Sequence, residues 1–248
     1  NFILTMMIEE GMSFEEALKI AQEKGYAEKD PTADVEGHDA CRKVCILASL
    51  AFGKHVYPNQ VETEGITKIS LEDVSYIENA GGVIKLLGQI KYINDNEIAA
   101  FVSPAVVYNG SQLASVKDVF NAILVRGDAV GDVCFYGPGA GKLPTASAVV
   151  ADIIDCAKHS DRKKIFGWGE GSENYVVDYK EKIEMPFYVR AKATPNEVNS
   201  KFADVKFLSR KGQPSDEVAF ITDYMTENKL NKKLDGMNVI NTIKVTNY

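Results

Sequence analysis

The sequence predicts an α+β protein, with an open mixed β-sheet carrying helices on one face, followed by a ferredoxin-like βαββαβ unit. Amphipathic helical patterns come first, β-rich runs dominate from about residue 60 to residue 135, and strand and helix patterns alternate near the C-terminus. We therefore expect two domains, residues 1–165 and 175–248, joined by a polar, glycine-containing linker at 166–174.

Two helices are predicted before the sheet. Ser13 and Glu16 form a capping-box pattern, which predicts a helix from about residue 14 to residue 24. A second helix is predicted from about residue 37 to residue 52, because its apolar residues recur at the spacings of a buried stripe. The chain starts without Met inside an apolar pattern, so we expect the natural chain to be truncated there.

The sheet-forming part is predicted to hold strands at 98–107 and 120–125 and a helix at 71–80. Asn109-Gly110 is a strong turn signal between the two strands. A later helix, predicted at 145–157, is apolar nearly all round, so we expect other elements to cover it on several sides.

The C-terminal part alternates strands and helices in the order β-α-β-β-α-β, which is typical of a ferredoxin-like fold. The predicted segments are a strand at 187–193, a helix at 195–204, strands at 206–210 and 217–223, a helix at 227–235 and a strand at 241–246.

Composition and charge exclude several function classes. The net charge is −7 and no stripe of Lys and Arg is present, so nucleic acid and anionic membranes are unsuitable partners. No apolar run approaches the ~20 residues of a membrane span, and no signal peptide opens the chain.

The cysteines and histidines predict neither a disulfide framework nor a metal site. The four cysteines form no CxxC pair and the three histidines are scattered. Cys41 and Cys45 share a helix face, where we expect two buried small hydrophobic side chains. Reduced thiols suit a cytoplasmic protein.

The most informative segment is the acidic, turn-rich run from residue 25 to residue 43, between the first two predicted helices. Asp39 and Lys43 lie four apart and share a helix face, where nearby carboxylates keep an ammonium protonated and able to act on a developing alkoxide. The alternative is a solvated ion pair beside an exposed turn, in which Asp serves only the backbone. The acidic residues are Glu28, Asp30, Asp34, Glu36 and Asp39.

The glycine-rich turn at 137–142 resembles a phosphate loop only superficially. A P-loop requires glycine where Tyr136 stands and Ser or Thr where Leu143 stands, and a dinucleotide fingerprint requires glycine where Lys142 stands. Two interpretations stay open: close contact of the backbone with a ligand ahead of a helix N-terminus, or a tight structural turn.

Two long stretches resemble the catalytic region of homoserine dehydrogenases, over about the first 155 residues. The first contains Asp30-Pro31-Thr32-Ala33-Asp34-Val35-Glu36-Gly37 and Asp39-Ala40-Cys41-Arg42-Lys43. The second contains Phe135-Tyr136-Gly137-Pro138-Gly139-Ala140-Gly141 and the run from Pro144 to Ile153.

This resemblance implies an enzyme that interconverts L-aspartate 4-semialdehyde and L-homoserine with NAD or NADP, in threonine and methionine biosynthesis. It implies that Lys43 protonates the nascent alkoxide and that Asp39 is its carboxylate partner. Glu28 and Asp34 match the acids that bind the amino-acid substrate, with Tyr26 beside them. The residues that match the segment lying against the cofactor are Gly137, Gly139, Ala140 and Gly141.

The chain also departs from the family pattern. The family's nucleotide-binding domain precedes the point where this chain starts, so we expect the cofactor to bind mainly outside it and the isolated fragment to be inactive. The C-terminal unit resembles an ACT regulatory domain in element order, which leaves threonine feedback and subunit pairing both open. A homodimer or a higher homo-oligomer is expected. The alternative function is a regulatory or assembly module that senses an amino acid such as threonine.

Overall fold

The computed structural model describes residues 2–118, 120–139, 141–161 and 167–246. Its α-helices within these ranges are α1 Phe2–Glu10, α2 Phe14–Glu23, α3 Thr32–Val35, α4 His38–Phe52, α5 Leu71–Asn79, α6 Lys142–Lys158, α7 Tyr179–Lys182, α8 Pro195–Lys201 and α9 Glu227–Leu234. The strands are β1 Glu62–Thr63, β2 Gly82–Asn94, β3 Glu97–Tyr108, β4 Phe120–Gly127, β5 Gly131–Pro138, β6 Glu184–Met185, β7 Phe187–Lys192, β8 Val205–Leu208, β9 Glu217–Thr222, β10 Met225–Thr226 and β11 Asn238–Thr246.

Local sequence signals give the helices accurately. Helix α2 begins after Ser13, whose side chain forms the predicted capping box with Glu16. Helices α4 and α5 match the helices predicted at 37–52 and 71–80 to within a residue, whereas the predictions for α6 and α8 differ by three residues at one end. Strand β2, which pairs with β3 through a hairpin, has no counterpart among the strands predicted from the sequence.

Seven strands form one mixed sheet, in the order β1-β3-β11-β7-β9-β8, with β2 on the other edge of β3. Strands β1 and β11 both run parallel to β3 and pair with successive parts of the same edge, β1 at Phe101 and Val102, and β11 from Ala105 to Val107. The order β11-β7-β9-β8, with α8 and α9 in the connections, is the predicted ferredoxin-like arrangement.

The two predicted domains therefore share a sheet, because the C-terminal strand β11 pairs with β3 from the first part of the chain. The division at 165 and the linker at 166–174 stay predictions, and residues 162–166 lie outside the described ranges.

Helices cover both faces of this sheet. Helices α1, α2 and α5 pack on one face, in a core cluster with Val106, Tyr188 and Ile243. Helices α8 and α9 pack on the other face, against Phe101, Phe187 and Phe220. The predicted α+β class with a mixed sheet is confirmed. The sequence predicted helices on one face of the sheet only; α4 and α5 do lie on one face, but the C-terminal helices cover the opposite face.

A buried polar cluster joins α5 to the C-terminal strands. Asp73 is fully buried, and its carboxylate accepts hydrogen bonds from Tyr188 Oη at 2.9 Å and Asn241 Nδ2 at 2.8 Å. Arg190 Nε lies 3.3 Å from the same carboxylate. Because a buried charge is tolerated only when it is paired, these contacts tie the helix to β7 and β11.

The β4–β5 hairpin and helix α6 stand apart from the main sheet. Strands β4 and β5 pair with each other in a separate two-stranded sheet. Helix α6 has no buried residue in the described ranges, so the expectation that other elements cover this apolar helix is not met by the chain itself. The Asn109-Gly110 turn forms, but it does not connect paired strands, since β3 pairs with β2 instead. Within the described ranges, every helix is too short or too polar to cross a membrane.

Candidate active site

The acidic run forms a loop that is fixed at its start by the end of α2. Tyr26 N–H donates to the Ala21 carbonyl at 2.8 Å, which closes the helix. The Gln22 side-chain amide donates to the Glu28 carbonyl at 3.1 Å. The Tyr26 ring packs edge-on against Phe2, with ring centroids 5.1 Å apart, and stays partly exposed beside the loop.

Two of the five acids accept hydrogen bonds from threonine residues. Asp30 Oδ1 accepts hydrogen bonds from the Thr32 hydroxyl at 2.6 Å and the Thr32 amide at 3.2 Å, and these bonds lower the pKa of Asp30. They fix the turn that leads into α3, as expected of Asp before a short helix. Glu36 Oε1 accepts a bond from the Thr67 hydroxyl at 3.4 Å.

Helix α4 carries the predicted catalytic pair. Gly37 begins the helix with φ +79°, a conformation that favours glycine, and Asp39 lies in the first turn. Lys43 Nζ lies 2.7 Å from Asp39 Oδ2, and the two side chains are 63% and 48% exposed. The pair is therefore preformed but open to solvent, where its contribution to stability is at most ~0.5 kcal/mol.

Asp34 connects the loop acids to this pair. Partial desolvation raises the pKa of Asp34, and the negative charges of Asp39 and Glu28 add to the shift. The positive charge of Lys43 acts in the opposite direction. Asp34 thus lies close enough to Glu28, Asp39 and Lys43 for the charges of these three residues to act on its carboxylate.

The carboxylates of Glu28 and Asp34 differ from those of Asp30 and Glu36. Among the described residues, Glu28 and Asp34 have no hydrogen bond or ion pair to their carboxylate oxygens. Acceptor groups without internal partners, set beside an ammonium, form a surface that can bind the cationic group of a small molecule.

The segment 64–66 packs against the acidic loop at Val35 and Glu36, and it was not identified from the sequence. Ile66 N–H donates to the Val35 carbonyl at 2.8 Å. A Cβ atom at Gly65 would lie 2.4 Å from the Val35 carbonyl oxygen and 2.6 Å from Glu36 Cα. Only glycine allows so close an approach between the two backbones, and a lone Gly65 in a turn gives no sequence signal of its partner.

The glycine-rich turn lies on the separate β4–β5 hairpin, and the described contacts do not bring it to Lys43. A Cβ atom at Gly139 would lie 2.1 Å from Asn121 Nδ2, so close packing within the hairpin is enough to explain a glycine at this position. Gly141 begins α6 with φ +110°, whereas Gly137 faces open space. Ala140 lies outside the described residues.

No group of three His, Cys, Asp or Glu side chains within the described ranges is arranged to hold a metal ion. Cys41 and Cys45 are buried, and burial together with the neighbouring Cys41 raises the pKa of Cys45 to about 12. A thiol with so high a pKa stays protonated and packs as a small hydrophobic side chain, as the sequence predicted.

Comparison with known proteins identifies the family of the chain. The family model for homoserine dehydrogenase matches residues 1–154. The chain belongs to the homoserine dehydrogenase family. The matched region contains the whole acidic loop, α4 and the glycine-rich turn, so the resemblance stated from the sequence motifs is confirmed.

Relatives of the chain are homoserine dehydrogenases. The Bacillus subtilis enzyme is 46% identical over 159 residues, which cover 64% of this chain and 36% of that protein. A solved structure of the Thiobacillus denitrificans enzyme matches all of this chain and 62% of its own, with 32% identity and a TM-score of 0.85. A hyperthermophilic archaeal enzyme solved in complex with NADPH matches 63% of this chain and 44% of its own, with 30% identity and a TM-score of 0.50. The chain therefore spans only part of each relative.

Proposed function

We propose that this chain supplies the substrate half of an NAD(P)-dependent homoserine dehydrogenase, which interconverts L-aspartate 4-semialdehyde and L-homoserine. The observation that carries the proposal is the convergence of Glu28, Asp34, Asp39 and Lys43. An amino-acid substrate requires carboxylates for its ammonium group, and a carbonyl reduction requires a proton donor at the carbonyl oxygen.

Each residue has a distinct proposed role. The carboxylates of Glu28 and Asp34 bind the substrate ammonium, and Tyr26 lies beside them in the same loop. Lys43 donates a proton to the carbonyl oxygen as negative charge develops there, while Asp39 at 2.7 Å orients the ammonium group.

The cofactor is proposed to be NAD or NADP, bound mainly outside these residues; when bound, it supplies the hydride. The turn at 137–141 is the part of the chain that we propose faces it. A Cβ atom added at Gly137 would meet no other atom within 4 Å, and α6 begins directly after Gly141 without a side-chain cap. Open backbone N–H groups beside Lys142 suit a polar or anionic group. The NADPH-bound archaeal relative supports this cofactor class.

The proposal predicts that the isolated chain binds homoserine but does not oxidise it. Calorimetric titration with homoserine should give a binding signal that is lost in Asp34→Ala and kept in Glu181→Gln, an exposed acid on α7. Oxidation of homoserine by the purified chain with NAD or NADP would contradict the proposal that the cofactor binds mainly outside this chain.

A homodimer is proposed as the assembled state. The β4–β5 hairpin exposes large apolar side chains that a monomer would leave in water. They include Ile123, Val125, Val130, Phe135 and Tyr136. Analytical ultracentrifugation of the chain tests this directly, since Phe135→Asp should shift a dimer towards monomer.

A regulatory role for the C-terminal unit is the second candidate. Its strand order β11-β7-β9-β8 is that of a ferredoxin-like fold, the arrangement on which the ACT resemblance is based. Binding of threonine by a chain that does not bind homoserine would favour a threonine sensor over the substrate half of an enzyme.

A further inference from the structure

A buried lysine on the last strand pairs with two carboxylates from distant parts of the chain. Lys244 on β11 has a side chain only 5% exposed, and its Nζ lies 3.2 Å from Glu64 Oε2 and 3.4 Å from Glu227 Oε2. The ammonium also lies 5.4 Å from the centre of the Tyr179 ring. A buried ammonium is tolerated because these partners compensate its lost hydration.

Sheet topology explains how a residue near the C-terminus reaches this place. Strands β1 and β11 occupy the same edge of β3, one after the other, so the residue that follows β1 lies beside the end of β11. Glu64 is that residue, and its N–H donates to the Val102 carbonyl of β3 at 2.8 Å. Lys244 therefore holds the segment 64–66 in place through the side chain of Glu64, its first residue.

The segment 64–66 and its neighbours contact both helices that carry the proposed site. Gly65 and Ile66 lie against the Val35 end of α3, which holds Asp34. At the start of α4, a Cβ atom at Gly37 would lie 3.1 Å from Thr63 and 3.2 Å from Val102. A shift of this segment would change where α3 lies relative to α4.

We propose that Lys244 is a positioning residue of the substrate site: through Glu64 it fixes the segment 64–66 and thereby the spacing between Asp34 on α3 and Lys43 on α4. The inference rests on the proposed function only because it takes Asp34 as a substrate-binding residue and Lys43 as the proton donor. Lys244 does not touch the substrate; it acts through backbone contacts about one element away. It also pairs with Glu227 of α9 and so links α9 to the segment 64–66.

The test uses the 248-residue chain and four variants. Lys244→Met removes the ammonium, Glu64→Gln removes its link to the segment, and the double variant combines both changes. Lys192→Met is the matched control, because Lys192 on β7 forms an exposed ion pair with Asp216, away from the loop. Glu64→Gln leaves Lys244 paired with Glu227, so it serves if Lys244→Met fails to fold.

Two readouts separate positioning from a general loss of stability. Hydrogen exchange at the Ile66 amide should be about tenfold faster or more in Lys244→Met and in Glu64→Gln, as expected when a charge-assisted contact is lost. NMR titration should show the pKa of Asp34 moving towards its ordinary value in both variants. The double variant should show no larger effect than the stronger single variant, because the two residues act in series. Lys192→Met should leave both readouts unchanged.

Unchanged Ile66 exchange and an unchanged pKa of Asp34 in the two single variants would overturn the inference, even if both lowered the melting temperature. Additive effects in the double variant would also contradict it. The failure of the proposed function would look different: the unmodified chain would not bind homoserine, while the exchange and titration results would still decide the role of Lys244.

Discussion

Replacing Gly65 by alanine tests whether the segment 64–66 holds the acidic loop in place. The added Cβ would lie 2.4 Å from the Val35 carbonyl oxygen, whereas real Cβ contacts are essentially never below 3.0 Å. Since the close atoms belong to the backbone of Val35 and Glu36, no side chain can rotate away, and the two segments must separate. Overpacking of this kind costs about 1–3 kcal/mol, and straining the Ile66–Val35 hydrogen bond adds about 1 kcal/mol.

Urea unfolding of Gly65→Ala is the assay, with Gly110→Ala as the matched control. Gly110 lies in a turn where an added Cβ would meet no atom within 4 Å, so alanine there should change the free energy of unfolding by less than about 0.5 kcal/mol. Gly65→Ala should lower it by about 2–4 kcal/mol and weaken homoserine binding. Equal stability and equal homoserine affinity in the two variants would refute the supporting role of this segment.

Three further predictions follow from individual side chains. Lys43→Met should change the free energy of unfolding by no more than ~0.5 kcal/mol, because the Asp39 pair is exposed, yet lower turnover of the parent enzyme by about 100-fold or more in steady-state kinetics. Asp73→Ala should cost about 3–5 kcal/mol in urea unfolding, because it removes the buried carboxylate that pairs with Arg190 Nε and accepts hydrogen bonds from Tyr188 and Asn241. Asp216→Ala, which breaks an exposed pair, should cost under ~1 kcal/mol. Lys85 is buried, and this burial lowers its pKa to about 8; the positive charge of the nearby Lys117 makes a smaller contribution in the same direction. The unfolded chain therefore binds more protons above pH 8, and stability should rise by up to ~3 kcal/mol between pH 8 and 10.5, relative to Lys85→Met, in urea unfolding. A flat difference would contradict the depressed pKa.

Local features of the fold were predictable from the sequence because their causes lie within a few residues. The capping box of Ser13 and Glu16 predicts where α2 begins, and the strand and helix patterns after residue 175 predict the ferredoxin-like order. The pairing of β11 with β3 joins residues about 140 positions apart, and no period within either strand reveals its partner. The shared sheet is therefore visible only in the structure.

The candidate site shows the same limit. Motifs in the sequence identified Glu28, Asp34, Asp39 and Lys43, and the structure places their charges close together. The supports of the site lie elsewhere in the chain, as Gly65 and Lys244 do, and single residues of these types carry no pattern. The structure also shows which acids have a structural role. Asp30 accepts a hydrogen bond from Thr32 and fixes a turn, which the sequence pattern alone does not distinguish from a role in binding.

The central claim is that the acidic loop binds the ammonium group of an amino-acid substrate. Calorimetry with homoserine and with 4-hydroxybutanoate, which lacks only the ammonium group, tests it most directly. The account predicts that the chain binds homoserine and not 4-hydroxybutanoate, and that Asp34→Ala abolishes this preference. Equal affinity for the two compounds, or a preference that survives in Asp34→Ala, would contradict it.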